Sequence, residues 1–248
     1  MEKLSPKDRI IFPLDLPSKD EALGFVRLLK GHVGVFKVGL ELFVSSGPPV
    51  VEAIKKEAPE AKVFLDMKFH DIPETVGRAV ASAASLGVDF ITVHCDSGRG
   101  LLEAVARRAG KVKVLGVTLL TSLSGNDLGD MGIAPELRDP GALVLHRARI
   151  AKLAGLGGVV CSGLEVKKVK ETFGKNFIAV TPGIRFSTQD IGTAKKDDQK
   201  RIASPYEAVR DGADYIVVGR PIRDASDPVE AASLIAKEIE KATSKAGW

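Results

Sequence analysis

The stretch KVFLDMKFHDIPETV, residues 62–76, reads as a buried strand that runs into a turn and then a helix. It nevertheless carries Asp66, Lys68 and Asp71 where a buried strand would be apolar. Side chains alternate across a strand, so Asp66 and Lys68 share one face while Leu65, Met67 and Phe69 share the other. Opposed charges on one face of an apolar strand need an enclosed polar space to point into.

The same strand-then-helix unit recurs in both directions from this stretch. Apolar, β-branched runs at 9–16, 35–40, 62–69, 90–94, 113–120, 158–162, 177–184 and 215–220 are each followed by a segment of helical periodicity. The first of these helices has Ser18 placed as an N-cap, Glu21 three residues on and Gly31 as a stop. Eight such units predict an α/β chain folded as a closed (β/α)₈ barrel, one domain over residues 1–248, with an open doubly wound sheet as the competing architecture. The open sheet normally announces a dinucleotide site by G-x-G-x-x-G after its first strand. The stretch PLDLPSKDEA has no glycine there, and no P-loop pattern occurs elsewhere.

In a barrel the apolar strand face meets the helices, so Asp66 and Lys68 are expected to point inward near the C-terminal rim. Lys37 in VFKVGL and Asp15 in FPLDLP lie at matching positions, and the four residues can alternate in sign as Asp15, Lys37, Asp66, Lys68. They could be structural ion pairs, but buried pairs are costly to desolvate and stabilise little compared with apolar packing. Four on one rim therefore point to use. The last two strands end in TPGIR and VVGRPI, which supply Gly183, Arg185, Gly219 and Arg220. Glycine lets backbone N–H groups approach an anion, arginine offers phosphate a bidentate fork, and barrels often bind phosphate after strands 7 and 8. Two long polar connections stand out, 121–138 and 185–203. The second leaves the TPGIR strand and is expected to be a lid over a phosphate.

Composition narrows the function classes. No apolar run approaches the roughly 18 residues that cross a bilayer, and the N-terminus lacks a secretory leader, so no membrane association and a cytoplasmic location are expected. Cys95 and Cys161 sit singly in apolar runs and read as buried reduced thiols. The net charge of +4 comes from Lys and Arg spread along helical segments, without a basic arm or aromatic-studded patch. That argues against nucleic acid and suits a small anionic substrate. His94 and Asp96 are too few for a metal site and are expected to pack behind the site, while His70 shapes a turn.

FLDMKFHDIPETV carries the D-x-K-x-x-D-I-P signature of the orotidine 5′-monophosphate decarboxylase family, in its stand-alone single-domain form. The resemblance extends in order through FKVGLELF, SLGVDFITVH, VTLLTS, VTPGIR and IVVGRPI, covering nearly the whole chain. It implies cofactor-free, metal-free decarboxylation of orotidine 5′-monophosphate to UMP and CO₂ in de novo pyrimidine biosynthesis. Carried over by residue, it makes Lys68 the donor of a proton to a C6 carbanion and puts Asp66 beside the substrate carboxylate. Lys37 and Asp15 then complete the charged array and hold ribose hydroxyls. Asp71, Ile72 and Thr75 would reach into the partner's site of an obligate homodimer, with Asp71 joining Asp66 in favouring the protonated Lys68 there. Thr121 and Ser122 would meet the pyrimidine, and Arg185, Gln199, Gly219 and Arg220 would cover the phosphate, Gln199 from the lid.

Two other readings compete. A Mg²⁺-dependent sugar-phosphate lyase resembling 3-keto-gulonate 6-phosphate decarboxylase shares D-x-K-x-x-D, but it carries an acidic metal ligand on the second strand where this chain has the cation-repelling Lys37. A non-catalytic nucleotide-phosphate binder would keep the phosphate residues without needing Lys68 between two carboxylates.

Overall fold

The computed structural model describes residues 4–185 and 201–245. Eight parallel strands run in sequence order: β1 (Ile10–Pro13), β2 (Val35–Val38), β3 (Lys62–Phe69), β4 (Phe90–His94), β5 (Lys113–Val117), β6 (Gly158–Val160), β7 (Ile178–Thr181) and β8 (Tyr215–Val217). Pairing of Ile10 with Ile216 and of Ile11 with Val217 joins β1 to β8 and closes the barrel, so the open-sheet alternative falls.

Every expected strand is present, but several stop early. The run at 9–16 pairs as a strand only to Pro13, that at 35–40 only to Val38, and that at 177–184 only to Thr181. At these ends the chain turns off the sheet to build the rim. Pro182 has no N–H to continue a ladder, and Gly183 takes φ 79, a left-handed conformation that favours glycine. The helix starts follow local chemistry. Ser18 Oγ accepts the Glu21 N–H at 3.3 Å to open the Lys19–Leu29 helix. Pro73 opens the Pro73–Ser85 helix at a position where its missing N–H costs nothing, and it keeps Ile72 extended (φ −68°, ψ 152°).

Strand alternation divides the apolar residues into two layers. Residues such as Ile10, Phe12, Val63, Leu65, Ile91 and Val93 pack outward against the helices. Ile11, Val35, Phe64, Phe90, Leu115, Ile178 and Tyr215 fill the barrel interior. Phe90 makes edge contacts with Phe64 (6.0 Å between ring centroids) and Tyr215 (5.2 Å). The lumen is thus plugged by hydrocarbon, and charge placed at its C-terminal rim stands on a floor of low polarity. No helix among the described residues is long and apolar enough to cross a membrane.

Candidate active site

The site begins with an irregularity in β3. Its pairing with β4 runs Phe64 to Phe90 and Leu65 to Ile91, then resumes at Phe69 to Val93, so β3 advances four residues while β4 advances two. Lys68 lies inside this slip with φ 50, alone among the described non-glycine residues in having a positive φ. A left-handed conformation at a side chain of this size costs roughly 1–2 kcal/mol, which surrounding contacts must hold in place. They do so through Thr92 on β4. Its Oγ1 accepts the Lys68 backbone N–H at 2.9 Å and donates to Asp66 Oδ1 at 2.8 Å.

The four charged side chains foreseen on the rim come together in the expected order. Lys37 Nζ lies 3.1 Å from Asp15 Oδ1 and 3.5 Å from Asp66 Oδ2, and Lys68 Nζ lies 2.8 Å from the same Asp66 oxygen. Lys37 and Asp66 are buried, Lys68 is half-buried and Asp15 is exposed. Burial alone would raise the Asp66 carboxyl. The Lys37 and Lys68 ammoniums, with hydrogen bonds from Lys68 and Thr92, outweigh it and hold the group below its usual range.

That shift fixes a sign for the pH dependence of stability. A carboxyl whose folded pKa lies below its unfolded one contributes stability that is complete above the unfolded value, 3.8, and is lost as pH falls through the folded value. Asp66→Asn is expected to flatten the fall of unfolding free energy below about pH 4 relative to wild type. Denaturant titrations of both proteins between neutrality and strong acid check this; equal slopes would refute it.

Above the array opens a pocket of about 410 Å³. Asp15, Lys37, Asp66 and Lys68 line one side, and Gly183, Arg185, Gly219, Arg220 and Arg223 line another. Phe64, Val117, Val160, Val180 and Val217 supply apolar wall and floor. Gly219 lies where β8 approaches β1: a Cβ there would stand 3.0 Å from Pro13 Cγ, so a side chain would push into the ring. Thr121 lines the pocket, whereas its neighbour Ser122 is exposed and outside the lining. Asp71, Ile72 and Thr75 are also outside it. All three are exposed, Ile72 by 64%, and Asp71 Oδ1 accepts the Ile72 N–H at 2.6 Å.

Gln199 and most of the expected lid lie outside the described residues, but both ends of the 185–203 connection are anchored at the rim. Arg185 N–H donates to the Ala203 carbonyl (3.0 Å) and Ala203 N–H to that of Gly183 (3.1 Å). Arg201 is buried; it donates to Glu165 Oε1 at 2.8 Å and to the Leu120 carbonyl at 3.2 Å, tying this connection to the one after β5. Burial raises the Glu165 carboxyl, and Arg201 opposes the rise.

A larger cavity, about 1020 Å³, lies at the opposite end of the barrel. Its acids are committed to the fold, Asp89 accepting the Val63 N–H and Asp214 that of Ala179. The array of Asp15, Lys37, Asp66 and Lys68 stands at the C-terminal end. His94 and Asp96 sit behind it: Asp96 accepts from Arg147 at 3.2 Å, and burial holds His94 below its ordinary range against the pull of Asp96.

Sequence reasoning missed Thr92, Arg223 and the Arg201–Glu165 pair. Only Arg223 left a signal, since it follows Arg220 by three residues on one helical turn.

Comparison with known proteins gives a consistent picture. Residues 8–235 match the family described as "Orotidine 5'-phosphate decarboxylase / HUMPS family". The chain is 51% identical over 240 residues to the orotidine 5′-phosphate decarboxylase of Desulfosudis oleivorans, covering 96% of this chain and 95% of that one. It is 45% identical to the enzyme of that name from Syntrophus aciditrophicus, over 96% and 95% of the two chains. Among solved structures it is similar to orotidine 5′-phosphate decarboxylase from Lactobacillus acidophilus, with a TM-score of 0.79 and 36% identity over 93% of this chain and 98% of that one.

Proposed function

The chain belongs to the orotidine 5′-phosphate decarboxylase / HUMPS family, and we propose that it converts orotidine 5′-monophosphate to UMP and CO₂ with Lys68 as the proton donor. It is a carboxy-lyase. The observation that carries the mechanistic reading is the Lys68 ammonium, 2.8 Å from the buried Asp66 carboxylate, on the apolar-floored side of a pocket whose other side holds three arginines.

Loss of CO₂ leaves the electron pair of the broken C–C bond in an sp² orbital on C6, where no π system can spread it. Stabilisation must come from charge already in place. Lys68 supplies that charge and then the proton, passing H⁺ from Nζ to C6, and regains it from solvent after product leaves. Asp66, itself paired with Lys37, holds the ammonium where it is needed, and the hydrocarbon floor strengthens the attraction by keeping water away. Asp15 and Lys37 bind the ribose, Thr121 the pyrimidine, and Arg185, Gly219 and Arg220 the phosphate; the family resemblance adds Ser122, which stands outside the pocket lining, and Gln199, which lies outside the described residues.

In the same reading Asp71, Ile72 and Thr75 complete the site of a second subunit. Their exposure, and above all that of the apolar Ile72, supports this, because a partner surface would cover them. The reaction belongs to de novo pyrimidine synthesis and takes place in the cytoplasm. Cys95 and Cys161 suit a reducing compartment, being free, buried and pushed by burial up to about 12.

The reaction needs no metal. Lys37 Nζ sits between Asp15 and Asp66, the two carboxylates a divalent cation would otherwise share. Purified protein mixed with orotidine 5′-monophosphate in EDTA is expected to bleach the orotate absorbance and release CO₂ and UMP. UMP binding without CO₂ release would favour a non-catalytic binder, and activity abolished by EDTA would favour a metal-dependent lyase.

A further inference from the structure

We propose that Thr92 is a positioning residue whose hydroxyl locks the Asp66 carboxylate and the Lys68 backbone into the arrangement that aims the Lys68 ammonium at the substrate. The inference rests on the decarboxylase reading given above.

The hydroxyl makes two hydrogen bonds, one donated and one accepted. It has one proton, which goes to Asp66 Oδ1 at 2.8 Å, and one of its lone pairs takes the Lys68 N–H at 2.9 Å. Thr92 is completely buried, so no water competes for either bond. The N–H it receives lies within the slip between β3 and β4, where the ladder that would otherwise satisfy it is interrupted. The other Asp66 oxygen, Oδ2, faces Lys68 Nζ at 2.8 Å and Lys37 Nζ at 3.5 Å. Holding Oδ1 therefore fixes the rotation of the carboxylate and keeps Oδ2 turned to both lysines.

The same bond pins the one positive φ among the described non-glycine residues, at Lys68. A left-handed backbone at lysine persists only where its surroundings over-determine it. Without the hydroxyl, Lys68 can relax toward ordinary strand geometry, and its side chain then leaves from a different point on the rim. Packing alone does not need the oxygen: valine has nearly the same shape as threonine and would fill the space equally well. What valine lacks is both hydrogen bonds at once.

Three variants test this: Thr92→Val, Thr92→Ser and Thr92→Ala, each assayed for decarboxylation with thermal unfolding as a check on the fold. Thr92→Val is expected to lower kcat about 10–100-fold with KM changed less than about threefold, the effect of misplacing a reacting group by a fraction of an ångström to an ångström. Thr92→Ser, which restores the hydroxyl, is expected to return kcat to within about threefold of wild type. Thr92→Ala gives the same comparison if the valine variant does not fold.

A second readout separates positioning from general loosening. Asp66 loses a donor in Thr92→Val, so the acid limb of kcat/KM moves to higher pH, while in Thr92→Ser it stays in place. Hydroxyl-free variants that keep wild-type kcat would overturn the proposal, and so would a serine variant as impaired as valine. An inert wild type would sink the decarboxylase reading itself, whereas an active wild type matched by Thr92→Val would sink only the role given to Thr92.

Discussion

Lys68→Ala is expected to lower kcat at least about 10³-fold, since under the proposed mechanism it removes both the proton donor and the nearest positive charge, and each alone commonly accounts for two or more powers of ten. The loss should come without unfolding. Lys68 stands at the rim with its side chain 32% exposed, so truncation opens little buried space. Asp66 keeps Lys37 at 3.5 Å and Thr92 at 2.8 Å, so its charge remains compensated. Lys68→Arg separates the two contributions, because a guanidinium keeps the charge but does not give up a proton near neutrality. It is expected to remain at least about 10²-fold below wild type. Single-turnover decay of orotate absorbance, compared with the melting temperature of each variant, measures both effects. Turnover by the alanine variant within tenfold of wild type would mean that another group protonates C6.

Alternation put Asp66 and Lys68 on one face as though β3 were regular. The strand in fact slips by two residues against β4, an even number, and so inward-facing positions remain inward. A slip of one would have sent Lys68 into the helix layer, and nothing in KVFLDMKF distinguishes the two cases. The barrel was legible because each strand is a short apolar run followed by a helix of different period. Strand ends were less so: at the rim Leu14, Leu40 and Ile184 continue the apolar composition after the ladder has stopped, and composition cannot show where hydrogen bonding ends. Thr92 was invisible for a related reason. In FITVH it is an ordinary β-branched strand residue, and its importance comes from register with a neighbouring strand that sequence does not give. Asp71, Ile72 and Thr75 could be assigned only through family resemblance. Read alone they are polar or apolar surface at a helix start, which is how they stand in a single chain.

Arg220→Ala is expected to lower kcat/KM for orotidine 5′-monophosphate about 10²–10³-fold, yet to change it less than about threefold for the nucleoside lacking the phosphate. The size follows from losing one partner of a charge-assisted, partly buried contact, about 2–5 kcal/mol, at 1.36 kcal/mol per tenfold in rate. The selectivity follows from where Arg220 lies. It lines the pocket beyond β8 with Arg223, and with Arg185 after β7, whereas the reacting array stands just past β1 and on β2 and β3. Binding energy gathered at the phosphate can still act on the distant carbon by holding the base against Lys68. A substrate without phosphate never uses that energy, so it has little to lose when Arg220 is gone. Steady-state kinetics on both substrates with both proteins decide the matter. Equal losses would mean that Arg220 acts on the reacting array itself and not through the phosphate; Arg223→Ala, expected to show the same selectivity more weakly, then distinguishes a shared cationic end from a role particular to Arg220.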